Sequence, residues 1–161
     1  MKKCIPRILF LLIFALAMFT PMKALATESV VIGISNQVQG SEQWRIVTIT
    51  VVAAANGSVT STAFRSKSGL NRDIPVNIQY AEVIPGTATP QTACDITITN
   101  TNGTDVFDAA LTNIDTSKKS TIEPTVPYIR TNLKDLTFNM SGNNVDSAQI
   151  VVKLYVYVRG D

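Results

Sequence analysis

The sequence predicts an all-β fold: an antiparallel β-sandwich or jelly-roll-like domain of about seven to eight strands, behind a cleavable signal peptide. Three observations lead there. A short apolar run opens the chain, apolar residues alternate with period 2 through most of the remaining sequence, and Gly, Asn and Pro turn signals separate the alternating runs.

Lys2, Lys3 and Arg7 form a positive start, and residues 8–19 are an unbroken apolar run of 12. As a helix, such a run spans about 18 Å, short of a hydrocarbon core of roughly 30 Å. Pro21 ends the run, and Ala24-Leu25-Ala26 is a small-x-small site of the kind a signal peptidase accepts. Residues 1–26 are therefore expected to leave after export, and 27–161 to fold as a single domain in the periplasm or outside the cell. Without the leader no apolar segment remains to hold the chain in a membrane.

Cleavage changes the charge. The leader carries Lys2, Lys3, Arg7 and Lys23, four of the 14 basic residues, which leaves 10 against 12 acidic ones and a net charge of −2. A mildly acidic surface without a basic run gives no electrostatic footprint for nucleic acid, and Lys118-Lys119 reads as a solvated turn. Cys4 departs with the leader, so Cys94 alone remains and no intramolecular disulfide can form. Cys94 precedes an alternating run, where a small buried hydrophobe is expected; its functional alternative is an intermolecular disulfide.

Val30, Ile32 and Ile34 mark one face of the first run. Residues 44–54 form a longer one, with Val47, Ile49, Val51 and Ala53 on one side. Asn56-Gly57 tolerates the positive φ of a tight hairpin, so 59–64 is expected to return as the partner of 44–54. Val76, Ile78 and Tyr80 mark the next strand, and residues 85–92, with two prolines and no apolar period, read as a loop. A short strand at 95–99 and an Asn/Gly turn at 100–103 lead to 104–115, where Asp105-Val-Phe-Asp-Ala-Ala-Leu would support one or two helical turns. Residues 112–133, polar and carrying Pro124 and Pro127, read as a long connection. Leu136, Phe138 and Met140 alternate with polar neighbours, and Gly142-Asn143-Asn144 turns the chain. In the last run Ile150, Val152, Leu154, Val156 and Val158 face one way, and Val151, Lys153, Tyr155, Tyr157 and Arg159 the other.

The residue inventory argues against catalysis. The chain has no histidine, which removes the usual general base near neutral pH, the commonest metal ligand, and every Ser-His-Asp, Cys-His or His-containing zinc arrangement. Asp95, Asp105, Asp108 and Asp115 would be needed as a carboxylate pair for hydrolysis, yet all lie near predicted turns, where Asp favours local backbone bonds. No resident cofactor is expected. Asn100, Asn102, Asp105 and Asp108 space oxygen ligands in the manner of a calcium loop, without the first-position Asp and twelfth-position Glu of an EF-hand. Trp44, Tyr80, Tyr155 and Tyr157 are candidates for a carbohydrate-stacking surface, but they lie on three predicted strands and their adjacency is not legible. Lys153, Tyr155, Tyr157 and Arg159 share one face of the last strand and form the candidate partner surface, for a protein partner or a second copy. Three Asn-x-Ser/Thr sequons, at Asn56, Asn102 and Asn139, arise from the composition alone.

Three stretches together resemble small β-rich proteins encoded among tailed-phage virion genes. They are Arg45-Ile-Val-Thr-Ile-Thr-Val with the nearby Ala-Asn-Gly-Ser-Val-Thr-Ser-Thr; the stretch from Cys94-Asp-Ile-Thr-Ile-Thr through Gly103-Thr-Asp-Val to Asn113-Ile-Asp; and Leu136-Thr-Phe-Asn-Met with Val152-Lys-Leu-Tyr-Val, similar to that group's closing hairpin. The likeness covers most of residues 43–159 and consists of strand and turn patterns. It implies a structural or accessory role without enzymatic activity. The leader and the Pro-containing stretch at 120–132 depart from that group's pattern. Together these features describe an exported, non-enzymatic structural or binding β-sandwich, with a virion-type accessory protein and a calcium- or carbohydrate-binding module as alternatives.

Overall fold

In the computed structural model, residues 27–39, 42–67, 69–70, 72–126 and 129–158 are described, at 37–39, 42–43 and 129 by backbone alone. The predicted leader and Arg159 lie outside them. The described strands form two antiparallel sheets. The larger runs β1 (Ser29–Gln39), β2 (Glu42–Val52), β9 (Gln149–Val158), β4 (Pro75–Pro85), with β6 (Ser120–Ile122) and β7 (Ile129–Asn132) both on the far side of β4. The smaller runs β3 (Thr62–Ala63), β8 (Thr137–Ser141), β5 (Asp95–Thr99). This is the all-β sandwich that the alternation predicts, built from nine described strands.

Each sheet turns one face inward. In β9 the buried residues are Ile150, Val152, Leu154 and Val156, as the period-2 pattern requires, while Val151, Lys153, Tyr155 and Tyr157 face outward, half-buried. In β2, Val47, Ile49 and Val51 are buried beside them. The small sheet supplies Ile96, Ile98, Phe138 and Met140, and Phe64, Phe107, Leu111 and Leu133 from the connections complete one cluster. A phenylalanine side chain buried this fully stabilises the fold by about 1.5–3 kcal/mol relative to exposure.

Five local expectations change. Asn56-Gly57 does form a tight turn: Gly57 has φ +78°, its N–H donates to the Ala54 carbonyl at 2.9 Å, and Asn56 Oδ1 accepts the Ser58 N–H at 3.0 Å. Residues 59–64 nevertheless do not return along β2. Both edges of β2 are taken by longer partners, β1 in register from Ser29↔Val52 to Gln39↔Glu42 and β9 from Trp44↔Tyr157 to Val52↔Gln149. The chain crosses instead to the small sheet, where β3 pairs with β8.

In β4 a bulge between Ile78 and Tyr80 shifts the register against β9. Val76 and Ile78 stay inside, Tyr80 turns outward, and Ala81 and Val83 resume the core. One extra residue reverses which face every later side chain occupies. Residues 112–133 are not all connection, since β6 and β7 pair with β4; runs of three and four residues are too short to show a period. Over 104–115 the chain makes turns rather than a helix, because Asp108, Ala109 and Asn113 have φ of +49°, +62° and +51°. Finally β8 and β9 do not form a closing hairpin, as they belong to different sheets.

Candidate binding face of the large sheet

The outward face of the large sheet is described most simply as cross-strand rows, because directly paired residues in an antiparallel ladder share a face. At one end Trp44, Tyr157, Asn77 and Arg130 stand in line; the next row is Ser35, Ile46, Tyr155 and Tyr80. Gly33, Thr48, Lys153, Glu82 and Thr121 form the middle row, and Val31, Thr50, Val151 and Ile84 the row beyond it. The four aromatics are thus neighbours. Trp44 and Tyr157 meet edge-on with ring centroids 5.8 Å apart, and Tyr80 stacks on Tyr155 at 4.3 Å with 17° between the planes. Such pairs contribute about 0.5–1.5 kcal/mol beyond their area. All four are half-buried, so each keeps part of its ring in solvent.

A charged group borders the aromatic rows. Glu82 accepts a hydrogen bond from the Tyr155 hydroxyl at 3.1 Å and an ion-pair contact from Lys119 Nζ at 2.8 Å, with 15 % of its side chain exposed. The Lys119 hydrogen bond, with smaller help from that of Tyr155 and the charge of Lys153, holds the Glu82 carboxyl below its ordinary range against the opposing effect of burial. Burial, then the bond to Glu82, pushes the Tyr155 hydroxyl up, which keeps it a neutral donor. The arrangement fixes one edge of the aromatic surface and leaves it neutral across Trp44, Ile46, Tyr80, Tyr155 and Tyr157. The outward face of the small sheet is different: Thr97, Thr99, Thr137 and Asn139 make it polar and without aromatics among the described residues.

Of the predicted partner residues, Lys153, Tyr155 and Tyr157 lie together on this face, and Arg159 falls outside the described residues. The carbohydrate-stacking set, Trp44, Tyr80, Tyr155 and Tyr157, is brought together by pairing β2, β9 and β4 side by side. Glu82, Lys119 and Ile46 were not legible as members. Glu82 follows the bulge of β4, which breaks the alternation that would show its face; Ile46 lies on the Thr48 side of the unbroken β2 alternation but, as an aliphatic, signals core rather than surface; and Lys119 enters from a turn.

Of the candidate calcium residues, Asn100 and Asp105 accept backbone N–H groups. Asn100 Oδ1 accepts the N–H groups of Asn102 and Thr104 at 2.9 and 3.1 Å. Asp105 accepts from the N–H groups of Ile98 and Phe107 through Oδ1, both at 3.2 Å, and from Ala109 through Oδ2 at 2.9 Å. Asp108 is exposed. These oxygens hold turns beside β5, and among the described residues no three acidic or cysteine side chains gather as a metal-binding group. Asp95 and Asp115 are likewise tied to backbone, at the N–H groups of Asn113 (2.8 Å) and Ser117 (3.0 Å). Cys94 is free and fully buried, its thiol pushed up first by desolvation and then by the charge of Asp95. A disulfide to another chain would require the entry to β5 to open first.

Among the described residues no helix is long and apolar enough to cross a membrane. Set against protein-family models, curated proteins and solved structures, the chain matches none of them.

Proposed function

We propose that this chain is an exported, non-enzymatic binding or assembly protein that engages a protein partner through the outward face of its large sheet. One observation carries the proposal: Trp44, Tyr80, Tyr155 and Tyr157 converge on that face, partly exposed, in a patch of uncharged side chains bordered by Lys153, Glu82 and Arg130. Tyrosine and tryptophan are enriched in the cores of protein interfaces, and charged residues are depleted there. The absence of histidine from the sequence and the engagement of the turn aspartates by backbone amides favour binding over catalysis.

The test is a photo-crosslinking residue placed at Tyr157 in the producing cell, with exposed Ser66 as the control position. A crosslinked product of discrete mass from position 157 alone is expected; equal yields from both positions would overturn the proposal. A second function, carbohydrate binding by the same stacked rings, is favoured by their partial exposure. Trp44 is the sole tryptophan, so its fluorescence reports this face directly. A saturable shift with soluble oligosaccharides would assign the face to glycans, and an unchanged spectrum would leave it to protein.

A further inference from the structure

Strand edges in sandwiches are ordinarily blunted, because a free edge presents unpaired N–H and C=O groups to any other chain. Three of the four edges in this fold are. The far end of the large sheet is closed by strands of three and four residues, the second carrying Arg130, with Pro124 between them. In the small sheet β3 has only two residues. The outer edge of β5 is occupied: Val106 N–H donates to the Ile98 carbonyl at 2.8 Å, Ile96 N–H to Leu111 at 2.9 Å, and Ile114 N–H to Cys94 at 3.1 Å.

β1 is treated differently. It is 11 residues long and has no charged residue, no proline and no break in its register with β2. Its free groups can be assigned. Ala53 N–H donates to the Ala148 carbonyl, and Gly86 N–H to that of Gln149. By the alternation of an antiparallel ladder, odd-numbered residues of β2 therefore face β9, and even-numbered ones face β1. Through the pairs Val31↔Thr50 and Gly33↔Thr48, odd residues of β1 bond β2. Val30, Ile32, Ile34 and Asn36 direct their N–H and C=O groups away from the sheet, with no partner among the described residues.

We infer that this edge pairs with its own copy, β1 against β1 antiparallel about a two-fold axis at Gly33. The same strand on each copy closes the contact at two, and no like charges are opposed because the strand has none. With Gly33 on the axis, Ile32 of each copy stands opposite Ile34 of the other, and Val30 opposite Asn36. All four outward-facing residues then exchange bonds. Gly33 faces itself at a position without ladder bonds, where the two backbones come closest, and a Cβ there would meet nothing within 4 Å in the monomer. Val31, 60 % exposed on the outward face, lies opposite Ser35. The two large sheets become one, and the two aromatic faces lie on the same side of it.

The test uses the protein recovered from an expressing bacterium. Light scattering after size exclusion should give twice the chain mass, and amide exchange should show Val30, Ile32, Ile34 and Asn36 protected. Gly33→Cys should yield a disulfide-linked dimer on a non-reducing gel where Thr50→Cys, exposed on the same face one strand inward, does not. Gly33→Lys, which sets two like charges face to face, should halve the mass and release the four amides. A monomer at all concentrations, whether its β1 amides exchange freely or are covered by another segment, would overturn the pairing. So would a dimer indifferent to Gly33→Lys, or equal crosslinking at Thr50. The pairing is read from the mass and the β1 amides, and the aromatic face from crosslinking at Tyr157 with β1 unsubstituted, so the two fail separately.

Discussion

Asn143 does more than turn the chain between β8 and β9. Its Oδ1 accepts the N–H groups of Gln91 (3.0 Å) and Val145 (3.2 Å), while Nδ2 donates to the Gly57 carbonyl at 2.8 Å, so one side chain ties three loops at one end of the sandwich. Asn143→Ala is expected to lower stability by about 1–3 kcal/mol, since it leaves the carbonyl of buried Gly57 and the N–H of half-buried Val145 without this partner; urea denaturation measures it. Gly57 packs against the same turn. A Cβ there would lie 2.6 Å from the Asn144 Cα, and φ is +78°, so Gly57→Ala should cost more than about 1 kcal/mol in the same assay. Glu82 makes stability depend on pH. Its folded value lies below the ordinary 4.5, so its contribution is fully present above that pH and is lost as pH falls through the folded value. Melting temperature in wild type should therefore drop more steeply below about pH 4.5 than in Glu82→Gln, which has no such carboxylate to protonate.

At the scale of elements, the bulge in β4 matters most for the binding face. It lets one strand give Val76 and Ile78 to the core before it and Ala81 and Val83 after it, while Tyr80 goes outward to stack on Tyr155. Deleting Gln79 would remove the extra residue and restore simple alternation with both pairs still inward and Tyr80 still outward. The expected result is a cooperative thermal transition by circular dichroism with the near-ultraviolet signal of the Tyr80–Tyr155 stack retained; loss of either would show that the bulge itself is needed. The strands with the longest period, β2 and β9, were legible because both sides of the alternation are unambiguous. β6 and β7 were not, being only three and four residues that gain their strand character from β4. The hairpin expected after Asn56-Gly57 failed for a related reason: a turn motif specifies a reversal of the backbone, while the choice of neighbour depends on which strands compete for the same edge.

For the whole molecule, the two sheets differ in what they show to solvent. The small sheet presents Thr and Asn, and the large sheet presents aromatics, with an uncharged β1 as its last strand among the described residues. Joined at that edge, two copies would carry two aromatic faces on one rigid surface, and a partner with repeated sites would be held more tightly than by either copy alone. Intact-mass measurement on the protein recovered from an expressing bacterium should, if residues 1–26 direct export, find a chain beginning at Thr27, which leaves β1 almost at the new N-terminus. A product that retains residues 1–26 would remove the basis for export as the route to that surface.

The all-β class, the inward faces of β2, β8 and β9 and the lack of histidine chemistry follow from residue type and a local period of two. The same alternation puts Lys153, Tyr155 and Tyr157 on one face of the last strand. Long-range pairing is what joins Trp44 and Tyr80 to them, turns the oxygens of Asp105 and Asn100 to backbone amides, and makes β1 the last strand of the large sheet among the described residues. Those outcomes depend on which strands become neighbours, and strand order is set by competition among pairings far apart in the chain, which no local pattern encodes.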